Sequence, residues 1–132
     1  MLGDPLSLAP DEFRTLQAYC AEQEIRFLAT PFDPESLAFL LELGLDTIKV
    51  GSGELTNLPY LLHVAPLGLP LIVSTGMADL QETTRAVEAI RKAGNPPLAL
   101  LHSVSAYPAP SEACNLRVLE TLRTRFGVPV GW

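Results

Sequence analysis

Apolar residues in this chain fall in two rhythms: short unbroken runs, and longer stretches in which they return every three or four positions. The runs are Phe27-Leu28-Ala29, Thr47-Ile48, Leu71-Ile72-Val73 and Leu98-Ala99-Leu100-Leu101. Apolar runs of this kind, bounded by polar residues, predict strands covered on both faces. The periodic stretches predict helices. Residues 11–23 place Phe13, Leu16 and Tyr19/Cys20 on one face. Asp33-Pro34-Glu35 opens a second helix with an N-cap and a first-turn proline; it carries Leu37 and Leu40/Leu41 to a stop at Gly44. A third covers roughly 57–66. The fourth starts at Asp79 with Glu82 as its capping-box partner, buries Leu80, Val87 and Ile90, and stops near Gly94. The fifth runs through Leu116, Leu119, Leu122 and Phe126 to Gly127, after which Val128 to Trp132 begins another strand.

The order is a leading helix, four βα units and a trailing strand. Strands alternating with helices predict an α/β fold with a parallel sheet. Two architectures satisfy that order, an open doubly wound sheet and part of a closed (β/α)8 barrel. An open sheet gathers its ligand at one switch point. Here every run stops at polar residues: Thr30 to Asp33, Lys49 to Glu54, Ser74 to Met77 and His102 to Tyr107. Chemistry at the carboxyl end of every strand is how a TIM barrel builds its site, and a whole barrel takes ~250 residues. Residues 1–132 are therefore expected to be a single domain, a partial TIM barrel incomplete at both ends and internal to a longer enzyme. Such a piece would leave two strand edges unpaired.

Composition narrows the partners. With 9 basic and 15 acidic residues the net charge is −6, which argues against a nucleic-acid face. A small anion needs only a few well-placed donors and stays open. No apolar stretch approaches the ~20 residues of a membrane span. Met1-Leu2-Gly3-Asp4 shows no basic region leading into an apolar run. Two cysteines far apart in sequence, Cys20 and Cys114, give no disulfide framework, so a reducing cytoplasm is the expected location.

The strand-end residues each admit two readings. Lys49 closes a buried run; it either snorkels to water or pairs with an anion. Gly51-Ser52-Gly53 behind it lets backbone approach a ligand and adds a hydroxyl, without completing a dinucleotide fingerprint, because Thr56 stands where a third glycine belongs. Glu54 is either a base or acceptor for sugar hydroxyls, or a carboxylate favoured by the following helix N-terminus. Ser74-Thr75-Gly76 offers hydroxyls and an amide as an anion seat, and Thr30 a single hydroxyl, beside Asp33 as a cap. His102 is the one histidine at a strand end, and a lone histidine is more often structural. His63 falls within a helix, at the surface or in packing. The prolines after Tyr107 either hold it over a pocket or only shape a turn. No Ser-His-Asp order, phosphate-binding P-loop or zinc spacing is present.

Taken together the strings are distinctive. Ala29-Thr30-Pro31-Phe32-Asp33, Lys49 through Pro59, Ser74-Thr75-Gly76-Met77, His102 to Pro110 and Gly127-Val128-Pro129-Val130-Gly131 follow one another as in the N-acetylneuraminate (sialic acid) synthase family, which the chain resembles from Pro10 to Trp132. The resemblance implies a TIM barrel, a homodimer in the full-length form, and condensation of phosphoenolpyruvate with an N-acylated amino sugar such as N-acetylmannosamine. It implies that Thr30, Lys49, Ser52, Ser74 and Ser105 hold phosphoenolpyruvate, Ser105 standing where some members have asparagine. It assigns Glu54 and Tyr107 to the amino sugar, Glu54 as the catalytic candidate. It also implies a divalent metal, Mn2+ or Mg2+, whose histidine ligands lie beyond a Ser-Asp-His-Thr string expected after Trp132. Residues 1–132 alone are then expected to lack turnover. Legionaminic or pseudaminic acid synthases and spore-coat polysaccharide relatives are alternatives within the family. Gly53 before Glu54 favours sialic or legionaminic acid over pseudaminic acid. Outside it stand a barrel acting on phosphorylated aldoses, disfavoured by sparse arginine near the strand ends, and a non-catalytic half-barrel.

Overall fold

The helices begin and end where local chemistry dictates. The computed structural model describes residues 8–132, so the reading of Met1 to Asp4 lies outside the described residues. Helix α1 (Pro10–Glu22) starts at a proline, with the Glu12 carboxylate accepting from the Ala9 amide at 2.6 Å. Helix α2 (Pro34–Glu42) is capped by Asp33, whose carboxylate accepts from the Ser36 amide at 2.7 Å. Gly44, at φ +86°, then turns the chain into the left-handed conformation that a β-carbon resists. Helix α3 (Leu58–Val64) is capped by the Asn57 side chain. Helix α4 (Leu80–Ala93) has the predicted reciprocal box: the Glu82 amide donates to Asp79 at 2.7 Å and the Asp79 amide to Glu82 at 2.9 Å. Helix α5 (Val118–Phe126) stops at Gly127.

Four strands alternate with these helices: β1 (Ile48–Val50), β2 (Leu71–Ser74), β3 (Leu98–Leu101) and β4 (Val130–Gly131). They form one parallel sheet in the order β1-β2-β3-β4. Because side chains alternate across a strand, the register separates two faces. Ile48, Val50, Leu71, Val73 and Leu100 face the helices and are buried. They pack with Leu37 and Leu40 of α2, Leu61 and Val64 of α3, Val87 and Ile90 of α4, and Leu122 and Phe126 of α5. Lys49, Ile72, Ala99, Leu101 and Gly131 lie on the opposite face and are only half-buried. Neighbouring strands taken in chain order, with the helical core on one face, are the mark of a barrel wall; a doubly wound sheet reverses its order and covers both faces.

Three expectations are corrected. Phe27-Leu28-Ala29 is not a paired strand: among the described residues no backbone hydrogen bond joins residues 26–32 to β1. Side chains hold the segment instead, with Arg26 paired to Asp46 at 3.0 Å and Phe27 edge-on to Phe13 of α1. Leu80 is 45% exposed rather than buried, because it is the first residue of α4 and overhangs the strand ends. Leu116 precedes α5 in a turn and is 57% exposed. The face predicted for α1 forms without being covered: Phe13 packs on Phe27 and Phe39, while Leu16 and Tyr19 remain exposed.

Candidate functional site

Lys49 stands on the open face of β1, and its ammonium donates to the Ser74 hydroxyl at 2.7 Å and the Val50 carbonyl at 2.9 Å. An ammonium has three N–H donors, so one remains for a further acceptor. Burial pulls the Lys49 pKa below the ordinary lysine value. Among the described residues the ion pairs are Arg14–Asp11 and Arg26–Asp46, so Lys49 has no carboxylate partner there. A partly desolvated cation without a counter-charge is a strong seat for an anion.

A second group of donors meets at the ends of the three adjacent strands. Ser52 opens the single 3-10 turn after β1, and its hydroxyl accepts from the Gly76 amide at 3.1 Å. The Ser103 hydroxyl, just past β3, lies 3.1 Å from the same oxygen. Gly76 allows this approach, since a β-carbon on it would sit 2.8 Å from both hydroxyl oxygens. Thr75 braces the β2 end, its amide donating to the Leu101 carbonyl at 2.9 Å.

Glu54 follows in the same turn and accepts from the Asn57 side-chain amide at 2.6 Å, which fixes it at the N-terminus of α3. Tyr60, buried one turn later, donates to the Pro31 carbonyl at 3.2 Å and ties the segment carrying Thr30 to α3. Burial, then the carboxylates of Glu54 and Asp33, push the Tyr60 hydroxyl up to about 12. His102 bonds the Cys114 carbonyl through Nε2 at 2.9 Å; a carbonyl only accepts, so Nε2 carries the proton. The His102 ring stands edge-on to Trp132 with centroids 5.2 Å apart, which gives it one structural partner in its own loop and another just past β4.

The structure thus brings Lys49 to Ser74, and Ser52 to Gly76, with Glu54 two residues from Ser52. It does not bring Ser105 or Tyr107 to them. Both lie exposed in the loop after β3, Tyr107 at 99%, and among the described residues no hydrogen bond joins them to the Lys49 or Ser52 groups. Thr30 is half-buried and makes no side-chain hydrogen bond among the described residues. His63 is exposed on α3. Sequence reasoning missed Ser103 as a site residue. The signal was present, because Ser103 stands two positions beyond an apolar run, directly after His102. Among the described residues no three His, Cys, Asp or Glu side chains are grouped to hold a metal ion. The residues present therefore do not make a site for the expected divalent metal.

Comparison with known proteins gives the chain its relatives. The NeuB family matches residues 2–132. The chain is 41% identical over 128 residues to N-acetylneuraminate-9-phosphate synthase of Drosophila melanogaster, covering 96% of this chain and 34% of that protein. It is 42% identical over 131 residues to N,N'-diacetyllegionaminic acid synthase of Legionella pneumophila, covering 96% of this chain and 37% of that protein. The chain spans about a third of the length of these curated relatives. The crystal structure of N-acetylneuraminic acid (sialic acid) synthetase from Leptospira borgpetersenii, in complex with citrate, superposes with a TM-score of 0.90 at 34% identity, over 96% of this chain and 44% of that one.

Proposed function

The chain belongs to the NeuB family, and on that premise we propose that the protein condenses phosphoenolpyruvate with an N-acylated amino sugar of the N-acetylmannosamine kind and releases phosphate. The observation that carries this reading is Lys49: a half-buried ammonium with an N–H to spare and no carboxylate partner among the described residues, beside the Ser74 hydroxyl and at the carboxyl ends of parallel strands. A trianionic substrate needs that cation, and hydroxyl and amide donors around it. Lys49, Ser52 and Ser74 are assigned to its phosphate and carboxylate. Thr30 and Ser105 join them if their loops close, and Glu54 and Tyr107 are assigned to the amino sugar.

The bond changes are then as follows. C3 of phosphoenolpyruvate attacks the aldehyde carbon of the open-chain sugar, and the aldehyde oxygen becomes a hydroxyl. Water adds at C2, and the C2–O bond to phosphate breaks, leaving a ketone. The chain's own part is to hold the donor in place and offset its charge, with Glu54 as the carboxylate available for a proton or a sugar hydroxyl. A Mn2+ or Mg2+ ion would polarise the aldehyde. Its ligands are assigned outside the described residues. Residues 1–132 alone are accordingly expected not to turn over. The rest of a barrel is assigned to the uncovered sheet face. The full-length protein is proposed to be a cytoplasmic homodimer.

A diacetylated bacterial sugar is the second reading, because the legionaminic acid relatives match as well as the N-acetylneuraminate ones. Gly53 has open space where a β-carbon would stand, which leaves room beside Glu54 for an acyl group. The test is phosphate release by the full-length protein in heavy-oxygen water. Release should depend on the sugar, and the label should appear at C2 of the product. Release without sugar, or label in the phosphate, would refute the proposal.

A further inference from the structure

We infer that Ser103 is a positioning residue that aims the Ser52 hydroxyl proton at the anion; this rests on the reading of Ser52 as a phosphoenolpyruvate contact. The argument is a count of protons and lone pairs. A serine hydroxyl has one proton and two acceptor sites. The Gly76 amide fills one acceptor site of Ser52 at 3.1 Å. Ser103 Oγ, at 3.1 Å, shares one further hydrogen bond with Ser52, and either oxygen can supply the proton. When Ser103 donates, both acceptor sites of Ser52 are filled and its one proton is left to point outward. An anion against Ser52 can only accept, so it selects that arrangement.

The geometry is held from three strands at once. Ser52 follows β1, Gly76 follows β2 and Ser103 follows β3. The space between the two hydroxyls exists because Gly76 has no β-carbon to fill it. Selecting that arrangement takes only a rotation of two hydroxyls, with the oxygens already in place.

The experiment is calorimetric titration of phosphoenolpyruvate into the full-length protein. Ser103→Ala should weaken binding about fivefold, the worth of one ordinary hydrogen bond. Ser103→Thr, which keeps the hydroxyl, should restore it to within about twofold. In a Ser52→Ala background, Ser103→Ala should add nothing, because its effect passes through Ser52. If Ser103→Ala does not fold, Ser103→Cys carries the same test with a weak donor of similar size. Unchanged affinity in Ser103→Ala, an equal loss in both backgrounds, or no recovery with threonine would overturn the inference. Ser52→Ala that binds like the wild type would overturn the reading of Ser52 itself, and this inference with it. A weakened Ser52→Ala beside an unaffected Ser103→Ala removes the inference alone.

Discussion

Replacing Lys49 by methionine separates the worth of a charge for binding from its worth for folding. The methionine keeps most of the stem and removes the ammonium. In the folded chain that ammonium donates to Ser74 and Val50 and has one N–H left. A charge-assisted hydrogen bond contributes about 1.5–3 kcal/mol, so phosphoenolpyruvate affinity should fall between about tenfold and about 150-fold. Stability should change by no more than about 1 kcal/mol, because the lost bonds to Ser74 and Val50 are offset by relief of a desolvated charge. Burial lowers the Lys49 pKa, so between that lowered value and the ordinary one the unfolded chain holds the proton that the folded chain has lost. Stability of the ligand-free protein therefore rises with pH across that window, and phosphoenolpyruvate affinity falls across it. Both trends should vanish in Lys49→Met. Calorimetry and denaturant titration across the alkaline range read both. Affinity within twofold of the wild type, or binding and fold lost together, would refute the reasoning.

Three other substitutions bear on different parts of the chain. Gly76→Ala should weaken phosphoenolpyruvate binding more than it lowers the denaturation midpoint, because the β-carbon's closest contacts, at 2.8 Å, are the Ser52 and Ser103 hydroxyl oxygens, while the Ser103 backbone oxygen at 3.3 Å need give only slightly; an unaffected affinity would count against that cluster as part of the site. Gly94→Ala should do the reverse, since its β-carbon would lie 2.5 Å from the Ala65 carbonyl oxygen and 2.9 Å from its carbon, both backbone. A loss of about 1–3 kcal/mol by denaturant titration, with phosphoenolpyruvate affinity kept, is the expected result. Tyr60 has its hydroxyl pushed up to about 12, so from the ordinary tyrosine value upward the unfolded chain ionises first and stability falls as pH rises. Alkaline denaturation of Tyr60→Phe should lack that fall, and an identical pH profile in both proteins would show that Tyr60 is not its source.

What could be read in the sequence was whatever depends on local chemistry. The Asp33-Pro34 start, the Asp79–Glu82 box and the Gly44 and Gly127 stops all lie within a few residues of what they control, and the structure has each in place. Lys49 was legible for a similar reason, as a charge placed directly after an apolar run. Phe27-Leu28-Ala29 failed because an apolar run does not show that a neighbour supplies a hydrogen-bond ladder; here Phe27 packs edge-on to Phe13 while Leu28 stays exposed. Leu80 failed because helical period locates a face without saying how far the helix extends past the sheet. Ser103 was hidden for the opposite reason: its meaning comes from Ser52 and Gly76, partners that are remote along the chain.

The order of the sheet explains why those remote partners meet. Strands that are parallel and taken in sequence deliver successive chain segments to the same side, one strand spacing apart. The bond from Lys49 to Ser74 then spans 25 residues of sequence yet joins two paired strands, and that between Ser52 and Ser103 spans 51 yet joins loops whose strands the ladder already holds. Each loop is anchored by its own strand, so the cross-loop bonds orient donors more than they hold the wall together. That division is why Gly76→Ala and Lys49→Met are expected to show themselves in binding, whereas Gly94→Ala, which forces the end of α4 against the turn following α3, shows itself in folding.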